Sequence, residues 1–198
     1  MLASITPLGQ RGRGSSWGAT VLCFALACVA TAAGLGALLG AAGAILLAGA
    51  GGPWRLGVLG LVCLVGLMLD ARVGGLTLPT CRRQVNEDWL RRYRGWVTGV
   101  GFGGQLGAGL ATIVNSSAVY VTLVAAALTR SALTGALVSA CFGLTRAMTL
   151  LGAARVRSPR DLLSLHERLS RWGPRGRLWA MSAQTAMVVA LGVSWTWG

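Results

Sequence analysis

The apolar residues of this chain fall into blocks as long as a bilayer is thick, and its arginines fall between those blocks. That alternation limits the fold more than any motif does. The blocks lie at about 18–50, 54–70, 95–128, 131–152 and 178–197. A hydrocarbon core of about 30 Å is crossed by about 20 helical residues. Hydrophobic residues make up 54% of the 198 positions and charged residues only 12%, about half the charged share of a typical soluble domain. The expected fold is all-α: a polytopic membrane protein with about five transmembrane helices and two short interfacial helices. A cytoplasmic N-terminal tail over 1–17 precedes a single transmembrane domain over 18–198.

Arg11 and Arg13 before an apolar stretch look like the start of a signal peptide, with Ala30-Thr31-Ala32 as a cleavage site. The apolar run continues to Ala50, well past the 7–15 residues of a cleaved signal. It is read as a retained helix.

All eighteen basic residues are arginine, and the net charge is +13. A charge of that size can serve nucleic acid, an anionic surface or membrane topology. Position decides for topology. Fifteen of the eighteen lie in three places: the tail, the loop at 74–94 with Arg72 at its edge, and the loop at 153–177. If every block crosses once, these places share one side. Splitting 95–128 would put the two basic loops on opposite sides, and splitting 18–50 would put the basic tail opposite both loops. The positive-inside rule therefore favours five crossings, with the N-terminus inside and the C-terminus outside. The two long blocks are then tilted or broken helices. No soluble domain presents a basic face, so nucleic acid is excluded as a partner.

Each basic loop carries an amphipathic pattern. Val85, Trp89, Tyr93 and Trp96 share one helical face, as do Leu162, Leu165, Leu169 and Trp172. Ser158-Pro159-Arg160-Asp161 is a helix start, and Gly173-Pro174 is expected to stop that helix.

The most informative candidates lie in the third block. Gln105, Thr112, Asn115, Ser116, Ser117 and Tyr120 place polar groups at mid-membrane, where each needs a partner or water. They are read as a substrate path where a helix unwinds, or else as hydrogen-bonding glue between helices. Asn115-Ser116-Ser117 fits a glycosylation sequon, but its apolar surroundings argue against that use. Arg146, inside the fourth span, either faces an anionic solute or reaches to the headgroups. Gly36 and Gly40, and Gly99, Gly103 and Gly107, are spaced for close helix packing, and the second set offers a homodimer face. Asp70 is expected at the cytoplasmic end of its helix, paired with Arg72, with proton coupling as the alternative. Glu87 and Asp88 read as a solvated face, and His166 as an interfacial residue. Cys23, Cys28, Cys63, Cys81 and Cys141 include no CxxC, and there is one histidine. No metal site, no cofactor and no catalytic residues are therefore expected.

The order of these features resembles the transmembrane cytochrome c biogenesis proteins, the CcdA type that also forms the membrane domain of DsbD. Residues 20–47, TVLCFALACVATAAGLGALLGAAGAILL, resemble that family's second helix. Residues 54–83 resemble its third helix and the basic loop after it. Residues 95–152 resemble its fourth and fifth helices, in which a glycine-rich stretch leads to a broken helix. The resemblance implies the fold. The family's cysteine-proline motifs have no counterpart here, and Gly109 to Thr112 holds neither residue. Thiol exchange needs a thiolate and a partner cysteine, so no redox residue carries over. The LysE and TauE transporter types share the same general look without cysteines. The leading expectation is thus transport of a small solute, anionic if Arg146 faces it, with the lipid bilayer and a second copy or another membrane protein as partners. A non-catalytic accessory subunit of a membrane complex and a thiol-disulfide electron carrier are the alternatives.

Overall fold

A computed structural model describes residues 5–12, 14–49, 54–75, 93–109 and 116–196. Every regular element among them is helical: α1 (Pro7–Arg11), α2 (Trp17–Leu46), α3 (Trp54–Asp70), α4 (Gly95–Ala108), α5 (Ala118–Leu128), α6 (Ala132–Met148) and α7 (Pro159–Thr196), with 3-10 turns at Val73–Gly75 and Thr149–Ala153.

The first long block is one helix. Nothing in Trp17–Leu46 breaks the hydrogen-bond ladder, and thirty residues give α2 a length of about 45 Å. Ser16 caps it by accepting from the N–H of Ala19. The helix forms the spine of the bundle because small residues let other backbones touch it. Gly99, Gly103 and Gly107 of α4 abut the main chain at Thr20, Phe24 and Cys28 in turn. Both series rise together, so α4 runs parallel to α2. On the return, Gly143 of α6 meets Cys28, Val29 and Ala32, Gly135 meets Gly36, and Ser131 meets Gly40. Helix α6 is therefore antiparallel to α2. These glycines are occupied within the chain, which corrects the expectation that Gly99, Gly103 and Gly107 form a homodimer face.

The third block is broken. Helix α4 ends at Ala108, Gly109 takes φ 72°, and α5 starts at Ala118. Ala127, near the end of α5, lies against Gly43 of α2. The two halves thus climb α2 in the same direction, one after the other. Arg130, with φ 54°, makes the turn into α6, and its Nη2 donates to Ala48 O at 3.2 Å.

The N-terminal segment, the start of α4 and the chain after α6 meet at one end. Leu8 N–H donates to Val156 O at 3.2 Å, and a Cβ on Gly95 would sit 2.7 Å from both Gln10 Oε1 and Thr20 Oγ1. The N-terminal segment, expected as a polar tail, folds back onto the bundle: Ile5 packs with Phe24, Cys28, Phe102, Ala147 and Leu150.

One other expectation changes. The chain from Pro159 to Thr196 is one helix with Pro174 inside it, so Gly173-Pro174 does not separate an interfacial helix from the last span. Its start is as read: Asp161 N–H donates to Ser158 Oγ at 3.2 Å, and Ser158 N–H donates back to Asp161 Oδ2 at 2.9 Å. The first amphipathic segment lies mostly outside the described residues. Among the described residues two helical stretches, Trp17–Leu46 and Ala132–Ala153, are long and apolar enough to cross a membrane. Helix α3 has 17 residues, and the third block yields pieces of 14 and 11.

Candidate functional site

The interruption between α4 and α5 lies about half-way along α2. Gly107 stands beside Cys28, while Val119 borders the same small space as Ala32 and Leu35. Helix ends leave backbone N–H and C=O groups without partners inside their own helix. At mid-bundle such groups must be met by other elements, and two charged side chains come to this break.

Asp70 comes from α3. Its carboxylate is 5% exposed. Oδ1 accepts the N–H of Ser117 at 2.9 Å. Oδ2 accepts the Ser117 hydroxyl at 2.8 Å, the Ser116 hydroxyl at 3.2 Å and Gln184 Nε2 at 3.4 Å. Gln184, on α7, also donates to Ser117 Oγ at 2.7 Å. Ser117 precedes α5 but forms no cap bond within that helix; Asp70 does the capping from a neighbouring helix. A carboxylate at a helix N-terminus is stabilised by the local dipole, and its bonds are charge-assisted. Gly66, one turn before Asp70, makes the approach possible: a Cβ there would lie 2.7 Å from Ser117 Oγ.

These contacts correct the placement of Asp70. It faces the middle of the bundle, and Arg72 does not pair with it. Arg72 takes φ 55° and ends the turn after α3. The ion pair found among the described residues is Arg171 with Glu167, at 3.7 Å on the exposed face of α7.

Arg146 comes from α6. Its Nη1 is buried and has no hydrogen-bond partner among the described residues. The guanidinium carbon lies 5.5 Å from the Phe142 ring centroid, a cation–π distance. A Cβ on Gly109 would sit 3.5 Å from Nη1. The side chain therefore turns toward the break, where a cation complements the negative end of α4. A carboxylate at the start of α5 and a guanidinium at the end of α4 match the dipoles of the two half-helices.

Of the expected path residues, Ser116 and Ser117 join the Asp70 cluster. Tyr120 follows on α5 and Gln105 lies one turn before the break, both half-buried. Thr112 and Asn115 lie outside the described residues, as does Cys81. One space beside the break, between Gly107, Gly109, Val119 and Phe142, is about 10 Å³, about one probe sphere and too small for a solute. Gln184 went unnoticed in the sequence. A lone amide in an apolar span was the signal, since a buried amide needs partners.

Cys28 and Cys63 are buried and free, and Cys28 Sγ donates to Gly143 O at 3.3 Å. No group of His, Cys, Asp and Glu among the described residues could hold a metal ion. Comparison with family models, with curated proteins and with solved structures returns no match.

Proposed function

We propose that this chain is a five-span membrane protein, with its N-terminus and basic loops inside, that passes a small anionic solute at the break between α4 and α5. Lipid as the surrounding medium is supported by the outer surface. Leu38, Ile45, Leu133 and Trp179 are 70–77% exposed, and soluble monomers rarely present apolar patches on that scale. Five crossings are supported by the parallel climb of α4 and α5 along α2 and by the meeting of the N-terminal segment with the start of α4 and the chain after α6. The glycine-rich stretch leading to a broken helix is what the likeness to the cytochrome c biogenesis family implies, and that kinship is part of the same proposal.

The observation that carries the solute reading is Arg146 Nη1, buried beside Gly109 with no acceptor among the described residues. A guanidinium donor left unmatched in a low-dielectric site suits an anion's oxygen. The small space beside Gly109 must widen for a solute to pass there, with α4 and α5 moving apart as in transporters built on discontinuous helices. The test is anion flux into liposomes holding the purified protein, with chloride, nitrate, phosphate and glutamate as probes. Arg146→Gln should lower the flux of the transported anion at least tenfold, and Ser116→Leu should abolish it, with both variants folded. Flux unchanged in both variants, or absent for every probe in the parent protein, ends this reading. A reporter fused after Gly198 that proves cytoplasmic removes the topology.

One observation favours an accessory role as second reading. Helix α7 meets the bundle through α3, and beside that seam runs an open apolar groove of about 930 Å³, bordered by Leu67, Met68, Val73, Leu178 and Val189. A partner's transmembrane helix would fit there. Co-purification of a second membrane protein in mild detergent supports it; a lone active species argues against it.

A further inference from the structure

The Asp70 cluster is more than a cap. Four oxygen-bearing side chains from three elements converge: Asp70, Ser116, Ser117 and Gln184. Asp70, Ser117 and Gln184 are each over nine-tenths buried. The Ser117 N–H, already met by Asp70 Oδ1, would be enough to start α5. Two hydroxyls and an amide are gathered as well. Gln184 supplies the second observation: its Oε1 is buried with no hydrogen-bond partner among the described residues. A buried carbonyl oxygen without a donor is unfavourable, and it belongs to an amide whose other end already touches both Ser117 Oγ and Asp70.

We propose that this cluster is a sodium site. A half-turn of the Gln184 amide exchanges Nε2 for Oε1 and brings a fourth oxygen toward the carboxylate. The serine hydroxyls now donate to Asp70; turned about their C–O bonds, they offer lone pairs. Asp70 Oδ, Ser116 Oγ, Ser117 Oγ and Gln184 Oε1 then surround one point with hard oxygen donors. The charge balance selects a monovalent ion. One carboxylate neutralises one sodium, whereas a divalent cation would leave a net buried charge. The dipoles permit it: the positive start of α5 opposes a cation, and the negative end of α3, which carries Asp70, favours one. The inference deepens the transport reading by naming an ion at the same break, where it would link cation occupancy to the position of α5. Its test is binding rather than flux, so the two stand or fall separately.

The experiment is thermal unfolding of the full-length protein in detergent, followed by tryptophan fluorescence. Sodium chloride is titrated against N-methylglucamine chloride at constant ionic strength, with potassium chloride in parallel. The expected result is a saturable rise in Tm with sodium, as ligand linkage requires, with a weaker or absent rise for potassium. Gln184→Leu keeps Asp70 and its bond to Ser117 N–H, so that variant should fold while its sodium affinity falls at least tenfold. Asp70→Asn should lose the sodium response altogether; if it does not fold, Gln184→Leu and Ser116→Ala carry the test. No specific rise with sodium in the parent protein overturns the proposal, as does a response to pH alone. An unchanged sodium midpoint in folded Gln184→Leu overturns it too.

Discussion

A single methyl group on Gly103 tests the packing that places the break. A Cβ there would fall on the carbonyl oxygen of Phe24, 2.9 Å from its carbonyl carbon and 3.0 Å from its Cα. All three atoms are main chain of α2, so no rotamer change makes room. The helices must separate by about 1 Å, and a gap of that size forfeits a quarter to a half of each dispersion contact along the seam. Overpacking of this kind costs about 1–3 kcal/mol. Replacing a helical glycine by alanine returns at most about 1 kcal/mol. Gly103→Ala should therefore destabilise the protein by roughly 1–2 kcal/mol, a factor of about 5–30 in the folding equilibrium.

The neighbouring position is the control. A Cβ on Gly104 meets only Thr31 Oγ1, at 3.5 Å, an ordinary contact. Gly104→Ala should be neutral or stabilising by up to about 1 kcal/mol. Unfolding by SDS in mixed micelles, read by the fluorescence of the eight tryptophans, compares the two. The triple variant at Gly99, Gly103 and Gly107 should cost less than three single losses, because one displaced seam makes room for all three methyls. Equal stability of Gly103→Ala and Gly104→Ala would refute the backbone seam.

Gly109→Ala combines a left-handed φ of 72° with a Cβ 2.9 Å from Val119 Cγ1, and should cost about 1–3 kcal/mol in the same assay. The Asp161 carboxyl is held below the usual carboxylate range by the N–H of Arg157 and by the side chain and N–H of Ser158. A depressed folded value means that its contribution is present above about pH 4, the unfolded value, and is lost as pH falls through the folded one. Protection of the first-turn amides of α7 against hydrogen exchange, measured relative to their intrinsic rate, should therefore fall in acid, and Asp161→Asn should remove that pH response. Pro174→Ala restores an N–H to the interior of α7 and removes a ring clash worth about 3 kcal/mol in a regular helix; exchange at residues 170–178 should slow. An unchanged rate there would mean that the helix already accommodates the ring.

Much of the architecture was legible because it depends on residue type alone. Thirty residues without a polar break from Trp17 make one helix, and glycines four apart make a face. Ser158 and Asp161, three apart, make a reciprocal cap. What the glycine face packs on was not legible: the same spacing serves a second copy or a neighbouring helix, and here α2 occupies it. Asp70 was misplaced for a related reason. Judged by sequence distance its partner is Arg72, two residues away. The bonds it makes are to Ser116, Ser117 and Gln184, 46 to 114 positions off. Pro174 shows the reverse case, in which a strong local stop signal did not end a helix.

The break between α4 and α5 follows from register rather than from its own residues. Gly107 faces Cys28, and Ala127 faces Gly43. Twenty residues of chain thus climb the height of fifteen residues of α2. A continuous helix rising 1.5 Å per residue would overshoot by about 7 Å. The glycine seam fixes the lower end, and the contact with Gly43 fixes the upper. About five residues are therefore in excess, and the excess falls between Gly109 and Ser117, where Asp70 caps the new helix start. Deleting residues 111–115 should remove the surplus and let α4 and α5 join. Circular dichroism should then show helicity per residue equal to or above that of the parent, because both half-helices are kept and joined in a shorter chain. Anion flux and any sodium response should disappear together, because Ser116 and Ser117 would turn into a regular helix away from Asp70. A loss of helicity in a folded deletion variant would show that sequence within 110–115, not register, makes the break.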